Sequence, residues 1–308
     1  MKNFLVILFL LAVPVMATAQ FNPFAINKHS SDSLYSVFKQ TDNDSVKMEI
    51  SKILSNYYLT KDRDSAIYFS EQYLAAAIKL KKPLHQASAL NILSYALYRL
   101  GNYSKSFLAA NDALKLAEDP ANEKTVVTGE EFYIISDPHK ARLALTASIY
   151  LKLAFLYFKS GNNAKGHLNL MQSIKIAESA DDKFGLSLNN NMLGSIYLDI
   201  NKLDSALIFG KKALTYSKES PIKTWNGIIL LNIGRIYLQK ENYDSAQSYF
   251  QQSLVVSQEQ TNLATEGEAY YWLAKLFLKN NQPDSALVYS NKALKMYEQL
   301  RAPLKTTF

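Results

Sequence analysis

Four histidines, His29, His85, His139 and His167, are the first place to look for metal binding or proton transfer. No two of them stand at the i, i+4 spacing that sets a pair of imidazoles on one helix face, so surface or capping roles suit them better than ligation. The chain has no cysteine, which removes disulfides, thiolate zinc sites, iron–sulfur clusters and cysteine nucleophiles together. Gly161-x4-Gly166 has the glycine spacing of a phosphate loop. His167 follows where a lysine is required, and the segment reads as a turn between helices with no strand before it. G-x-S-x-G, H-E-x-x-H and the dinucleotide fingerprint do not occur. The 20 tyrosines would suit a sugar or aromatic ligand, yet several fall in a repeat column where packing explains them. The residues therefore predict a non-catalytic chain with no cofactor and no metal.

Composition agrees with a folded, soluble protein. Hydrophobic residues make up 48% of the 308 and charged residues 20%, too apolar for intrinsic disorder. The formal charge is +7, a modest surplus that does not by itself indicate a nucleic-acid partner. Met1–Gln20 reads as a secretory signal: Lys2, an apolar run from Phe4 to Val13, then Ala17-Thr18-Ala19 as the cleavage pattern. Ten apolar residues before Pro14 are too few to cross ~30 Å of hydrocarbon. Gln20 stands where a lipoprotein would carry cysteine, and nothing later offers 18 consecutive apolar residues. The expected location is periplasmic or secreted, with no lipid anchor, no stable membrane insertion and no nucleic acid bound.

The elements that would position any site are announced by repetition, sought before any fold is assigned. Asp-Ser-Ala recurs with its alanine at Ala66, Ala206, Ala246 and Ala286, and steps of 40 add Ser106 and Gly166. The six anchors are spaced 40, 60, 40, 40 and 40, which implies one insertion of 20. Thirteen residues before the anchors stand Ile53, Leu93, Leu153, Leu193, Ile233 and Leu273; eight after stand Leu74, Leu114, Ile174, Leu214, Leu254 and Leu294. The columns at −12 and +7 hold small residues in five of six units, and the column at −9 is Tyr57, Leu97, Tyr157, Tyr197, Tyr237 and Phe277. Steps of three and four within Leu193, Ile196 and Tyr197 are those of an amphipathic helix. Asp64, Asp204, Asp244 and Asp284 are read as N-caps of a second helix. Pro83, Pro120, Pro138, Pro221, Pro283 and Pro303 all fall between the proposed helices. Each unit is a helical hairpin, and six of them stack.

Leu193-Gly194, Tyr197, Ala206 and Ala213, repeated as Ile233-Gly234, Tyr237, Ala246 and Phe250, resemble the tetratricopeptide repeat over about residues 44–300. The resemblance implies an all-α, right-handed α-solenoid of about six hairpins. The period of 40 departs from the usual 34 and resembles arrays in exported signalling proteins of Bacteroidetes-like bacteria. Unit one, with Leu54 and Tyr73 in the small columns, is the least typical, as a terminal repeat should be. Outside the array lie the signal at 1–19, a polar arm at 20–43 that joins a helix near Ser33–Lys39, and a tail at 301–308. The insertion at about 118–137 is either a short hairpin turning at Gly129 or a lengthening of the flanking helices.

What the family implies for function is a protein or peptide partner held in the concave groove lined by the first helices. The columns fifteen and eleven before each anchor should face it. They supply Asn91 and Tyr95, Leu151 and Phe155, Asn191 and Ser195, Arg235, and Tyr271 with Lys275; Ser51, Ser55 and Leu231 complete them. The paired Lys and Asn of the family's carboxylate clamp are not reproduced. A second reading is a sensory input domain of a bacterial sensor histidine kinase or transcriptional regulator whose output module is absent from this chain. Hairpin six also leaves an edge, with Tyr289, Leu294 and Tyr297, that would serve self-association or partner docking. The leader supplies a direct test: N-terminal sequencing should find the mature protein starting at Gln20, and an intact Met1 on cytoplasmic protein would contradict the signal.

Overall fold

The computed structural model describes residues 28–59, 61–125 and 137–301. The signal at 1–19, Gly129 with its proposed hairpin, and Pro303 lie outside them. Among the described residues there are thirteen α-helices and one 3-10 helix. Helix α1 is Lys28–Gln40, longer at its start than Ser33–Lys39. Six hairpins follow. They are α2 (Asp44–Tyr58) with α3 (Arg63–Lys79), α4 (Pro83–Arg99) with α5 (Tyr103–Glu118), and α6 (Pro138–Lys159) with α7 (Asn163–Ala180). Then come α8 (Lys183–Asp199) with α9 (Leu203–Glu219), α10 (Asn226–Gln239) with α11 (Tyr243–Glu259), and α12 (Leu263–Lys279) with α13 (Pro283–Arg301). Each second helix packs on the next hairpin's first helix, and successive first helices also touch, from α2–α4 through α10–α12. The first helices therefore line the inner face of the solenoid.

The turn chemistry corrects the proposed N-caps. The caps are Asp62, Asn102, Asn162 and Asn242, four residues before the anchors, whose side chains accept from the backbone N–H groups of Ser65, Lys105, Lys165 and Ser245. Asp64, Asp204, Asp244 and Asp284 sit inside the first turn, where a negative charge still favours the helix dipole. One residue before the cap column the backbone is left-handed at Gly101, Gly161, Asn201, Glu241 and Asn281. Asn162 N–H bonds Tyr157 C=O at 2.9 Å and Gly161 N–H bonds Phe158 C=O at 3.1 Å, the paired bonds of a Schellman turn. In hairpins two to six this turn leaves three residues between the first helix and the second. Pro83, Pro138 and Pro283 stand at the first position of their helices, where the missing N–H costs nothing.

The small columns set how close the two helices of a hairpin come. Ser94 Oγ donates to Ser106 C=O at 2.9 Å, and Ser106 Oγ returns a bond to Ser94 C=O at 2.7 Å. A methyl added at Gly194 would stand 3.3 Å from the carbonyl oxygen of Ala206, and one at Gly234 would stand 2.6 Å from the Phe250 ring. Above these contacts the aliphatic column is closed: Leu153, Leu193, Ile233 and Leu273 are all buried. Unit one fills its small columns differently. Leu54 and Tyr73 are fully buried, and the Tyr73 hydroxyl bonds His85 Nδ1 at 2.9 Å. Helix α1 covers this end with Phe38, whose ring meets Phe69 edge-on at 5.7 Å. At the other end Tyr289 stacks on Phe277 at 5.2 Å, whereas Leu294 is 56% exposed.

After the second hairpin, the 3-10 helix Pro120–Thr125 is tied down where Arg142 Nε meets Glu123 Oε1 at 2.7 Å. Helix α6 is lengthened to 22 residues, and by length and apolarity it could span a membrane; 56% of that window is buried inside the protein. It packs on α4, α5, α7 and α8. Its apolar faces are accounted for by the solenoid itself.

Two substitutions test the packing in opposite directions. Gly234→Ala should destabilise by up to about 2 kcal/mol, because overpacking costs about 1–3 and helix propensity returns about 1. Asn189 is fully buried with neither amide atom bonded, in a column that holds Ile149 and Ile229. Asn189→Leu should stabilise by about 1–3 kcal/mol, since an unpartnered buried amide costs about that much. Thermal and urea melts of both variants measure the two signs.

Candidate functional site: the concave groove

A cavity of about 720 Å³ opens along the inner face from hairpin two to hairpin five. It takes Tyr95 and Tyr98 from α4, Leu151, Lys152 and Phe155 from α6, and Asn191 and Ser195 from α8. Asn232 and Arg235 of α10 close the far wall, with Trp225 from the connection that precedes it. The solenoid coils far enough for its own walls to meet. The rings of Tyr95 in hairpin two and Trp225 before hairpin five lie 6.3 Å apart, across 130 residues of chain. A second hollow of about 520 Å³ adjoins through Arg235 and is lined by Trp272, Lys275 and Lys279.

The structure places the sequence-predicted residues unevenly. Tyr95, Leu151, Phe155, Asn191, Ser195 and Arg235 share the main cavity, and Lys275 lines the second. Asn91 donates to Ser148 Oγ at 3.0 Å beneath that wall and does not itself line it. Tyr271 is 40% exposed and turned edge-on to Trp272. Ser51, Ser55 and Leu231 are buried in the packing. The columns at −18 and −14 were missed. They bring Ser148, Leu188 and Ile228, and then Lys152, Met192 and Asn232, into the cavity. These positions lie three and seven residues before the −11 column, so helical spacing alone could have found them. Trp225 belongs to no column and left no periodic signal.

Polar groups in the groove form a short ladder between hairpins. Asn232 Nδ2 donates to Asn191 Oδ1 at 3.0 Å, and Arg235 donates to Asn232 Oδ1 at 3.0 Å. The cations rest on aromatic faces. Lys152 Nζ lies 3.7 Å from the Tyr95 ring centre, Arg235 lies 4.9 Å from that of Trp272, and Lys275 lies 5.0 Å from that of Tyr271. Each such contact is worth about 0.5–2 kcal/mol. Among the described residues none of the three forms an ion pair, and Arg235 Nε is buried without a hydrogen-bond partner. Burial pushes the Lys152 ammonium down to about 7. In α12, desolvation raises the Glu268 carboxyl, while Arg235 and Arg99 act to lower it. Among the described residues no three His, Asp or Glu side chains gather as a metal site would require.

The lysine generates a prediction. Its folded-state pKa lies below the ordinary 10.5, so between pH 7 and 10.5 the unfolded chain binds more protons and stability rises with pH. A pH series of melts should show that rise, and Lys152→Met should flatten it; a lysine-selective NMR titration should find one side chain with its midpoint near 7.

Comparison with known proteins follows this geometry. Residues 226–299 match the tetratricopeptide repeat. The chain is similar to a Rap protein solved in complex with competence and sporulation factor: TM-score 0.64 at 14% identity, covering 88% of this chain and 70% of that one. It is similar to NprR in complex with its cognate peptide NprX, with TM-score 0.56 at 14% identity over 97% and 79% of the two chains. For BtubC from P. vanneervenii the TM-score is 0.54 at 16% identity, over 78% and 93%. Among curated proteins no sequence matches significantly. At these identities the likeness speaks for fold. The chain is an all-α, right-handed solenoid of tetratricopeptide type, and its residues 226–299 carry the repeat itself.

Proposed function

We propose that this protein is a non-catalytic scaffold that binds an extended peptide segment of a partner protein in its concave groove. One observation carries the reading: the cavity of about 720 Å³ stays open, and its wall sets aromatic rings, amides and the cations Lys152 and Arg235 among aliphatic side chains. A purely structural solenoid would close that space with the aliphatic packing seen between its hairpins. Aromatic faces give large contact at low entropic cost, and amides satisfy the backbone of a bound strand. The likeness to NprR, solved with its cognate peptide, and to a Rap protein, solved with competence and sporulation factor, supports a peptide ligand. The reading includes export by Met1–Ala19, with the groove acting outside the cytoplasm.

A random dodecapeptide display library, selected on the whole mature chain, tests it. Selected peptides should change the fluorescence of Trp225, with the Trp225→Phe variant assigning the signal against Trp272. Tyr95→Ala should weaken them tenfold or more with the melting temperature held within a few degrees. Binders that ignore both substitutions would place the interaction elsewhere and overturn the proposal.

A further inference from the structure

Among the described residues the groove gathers cations with no acid at ion-pair distance. On other faces some cations find acids, as Lys79 meets Asp44 at 2.7 Å and Lys240 meets Asp204 at 2.6 Å, and others rest on rings, as Lys61 does on Tyr57 at 3.9 Å. In the groove Lys152, Arg235 and Lys275 rest on rings, which hold a cation while leaving N–H donors directed away from the ring face. Lys159 and Lys279 extend the same charge along the two hollows. Against these stand Asp199 at the wall and Glu268. The charge of Glu268 acts on Tyr95 in hairpin two as well as on Arg99 and Arg235, and among the described residues it reaches ion-pair distance of no cation. The groove holds donors that lack acceptors, spread over several hairpins, beside apolar rings.

We propose that the partner segment is acidic, an extended peptide whose Asp or Glu side chains take the open positions beside Lys152 and Arg235 in competition with Glu268. The inference rests on the groove being the peptide site. Side-chain carboxylates are favoured over a chain terminus because the cations are distributed along both hollows, where a single terminal carboxylate would answer only one of them. The rings of Tyr95, Phe155 and Trp225 call for an apolar or aromatic residue between the acids. Bound carboxylate beside Lys152 restores its charged form, so a proton is taken up above pH 7 and affinity falls as pH rises. The titratable and charged groups that share the cavity with Lys152 are Tyr95 and Tyr98 from α4, Lys159 on its own helix, His167 from α7, Asp199 from α8 and Arg235 from α10; Arg99 of α4 and Glu268 of α12 act on Tyr95 beside it.

The same display library decides it, because peptides fused through their C-termini supply carboxylates only from side chains. Selected sequences should be enriched in Asp and Glu with an aromatic or aliphatic residue between them. Synthetic copies with Gln for Glu should bind at least tenfold more weakly. Lys152→Met should weaken acidic binders about tenfold, and Glu268→Gln should tighten them about threefold while leaving neutral control peptides unchanged. Calorimetry at pH 8 in two buffers should show proton uptake that survives His167→Gln and disappears in Lys152→Met. Groove binders with no acid preference, unmoved by Lys152→Met and Glu268→Gln, would overturn the inference and leave the peptide scaffold standing. A selection that yields no groove binder would remove both.

Discussion

The structure depends on how closely two antiparallel helices can approach within each hairpin. In hairpins two to six the side chains at the crossing are serine, alanine or glycine, small enough for Ser94 and Ser106 to bond one another's backbone and for Gly194 to lie against the backbone of Ala206 and Gly210. Side chains that occupy no space at the crossing leave the larger aliphatics free to project between hairpins, where their burial drives stacking at roughly 25 cal/mol per Å² of apolar surface. Similar packing repeated from hairpin to hairpin turns each against the last in the same sense, so the chain coils and its first helices come to share one inner face. Coiling carries hairpin two round to hairpin five, where Tyr95 meets Trp225. The shape of the groove is therefore set by residues that never face it.

Repetition and function place opposite demands on the chain. Stacking needs each hairpin to resemble the last, and the columns at −13, −12 and +7 comply. Recognition needs each hairpin to differ. The −11 column runs Ser55, Tyr95, Phe155, Ser195, Arg235 and Lys275, and the −14 column runs Lys52, Ile92, Lys152, Met192, Asn232 and Trp272. Both occupy the first helix, one turn or less from columns that hardly vary. Variation confined to one helical face is what a binding wall imposed on a fixed scaffold produces. The buried Asn189 is the exception on the scaffold side, with neither amide atom bonded among the described residues.

The hairpins were legible in the sequence because their causes are periodic. Aliphatic and small columns at fixed offsets report packing directly, and all six pairs of helices stand where the anchors put them. The caps were displaced by two residues because Asp-Ser-Ala is the loudest repeated string, while the true cap column changes type between Asp, Asn, Lys and Gln. Groove residues were half legible. Choosing the −15 column included Leu231, which the next hairpin buries, and passed over Lys152, one residue further on. The face of a helix that turns inward depends on the superhelical twist, and no single hairpin encodes that angle. Trp225 was illegible for a related reason: its importance comes from contact with a wall 130 residues earlier, not from any neighbour in sequence.

Aromatic support of the groove cations has a physical consequence that acid partners would not give. A carboxylate beside Lys152 would satisfy the ammonium and occupy the cavity at the same time, as Glu123 does for Arg142 beneath the 3-10 helix. A ring holds the charge from one side, through its quadrupole, and leaves the other side to the bore. Desolvation then raises the energy of the unpaired ammonium, which is why burial brings Lys152 down to about 7. The Tyr95 ring offsets part of that cost, and it lies 6.3 Å from the ring of Trp225 on the opposite wall. The contact at which the superhelix meets itself is thus also the one that keeps a cation available inside it, so the coiling set at the helix crossings and the charge of the groove come together at a single juxtaposition of side chains.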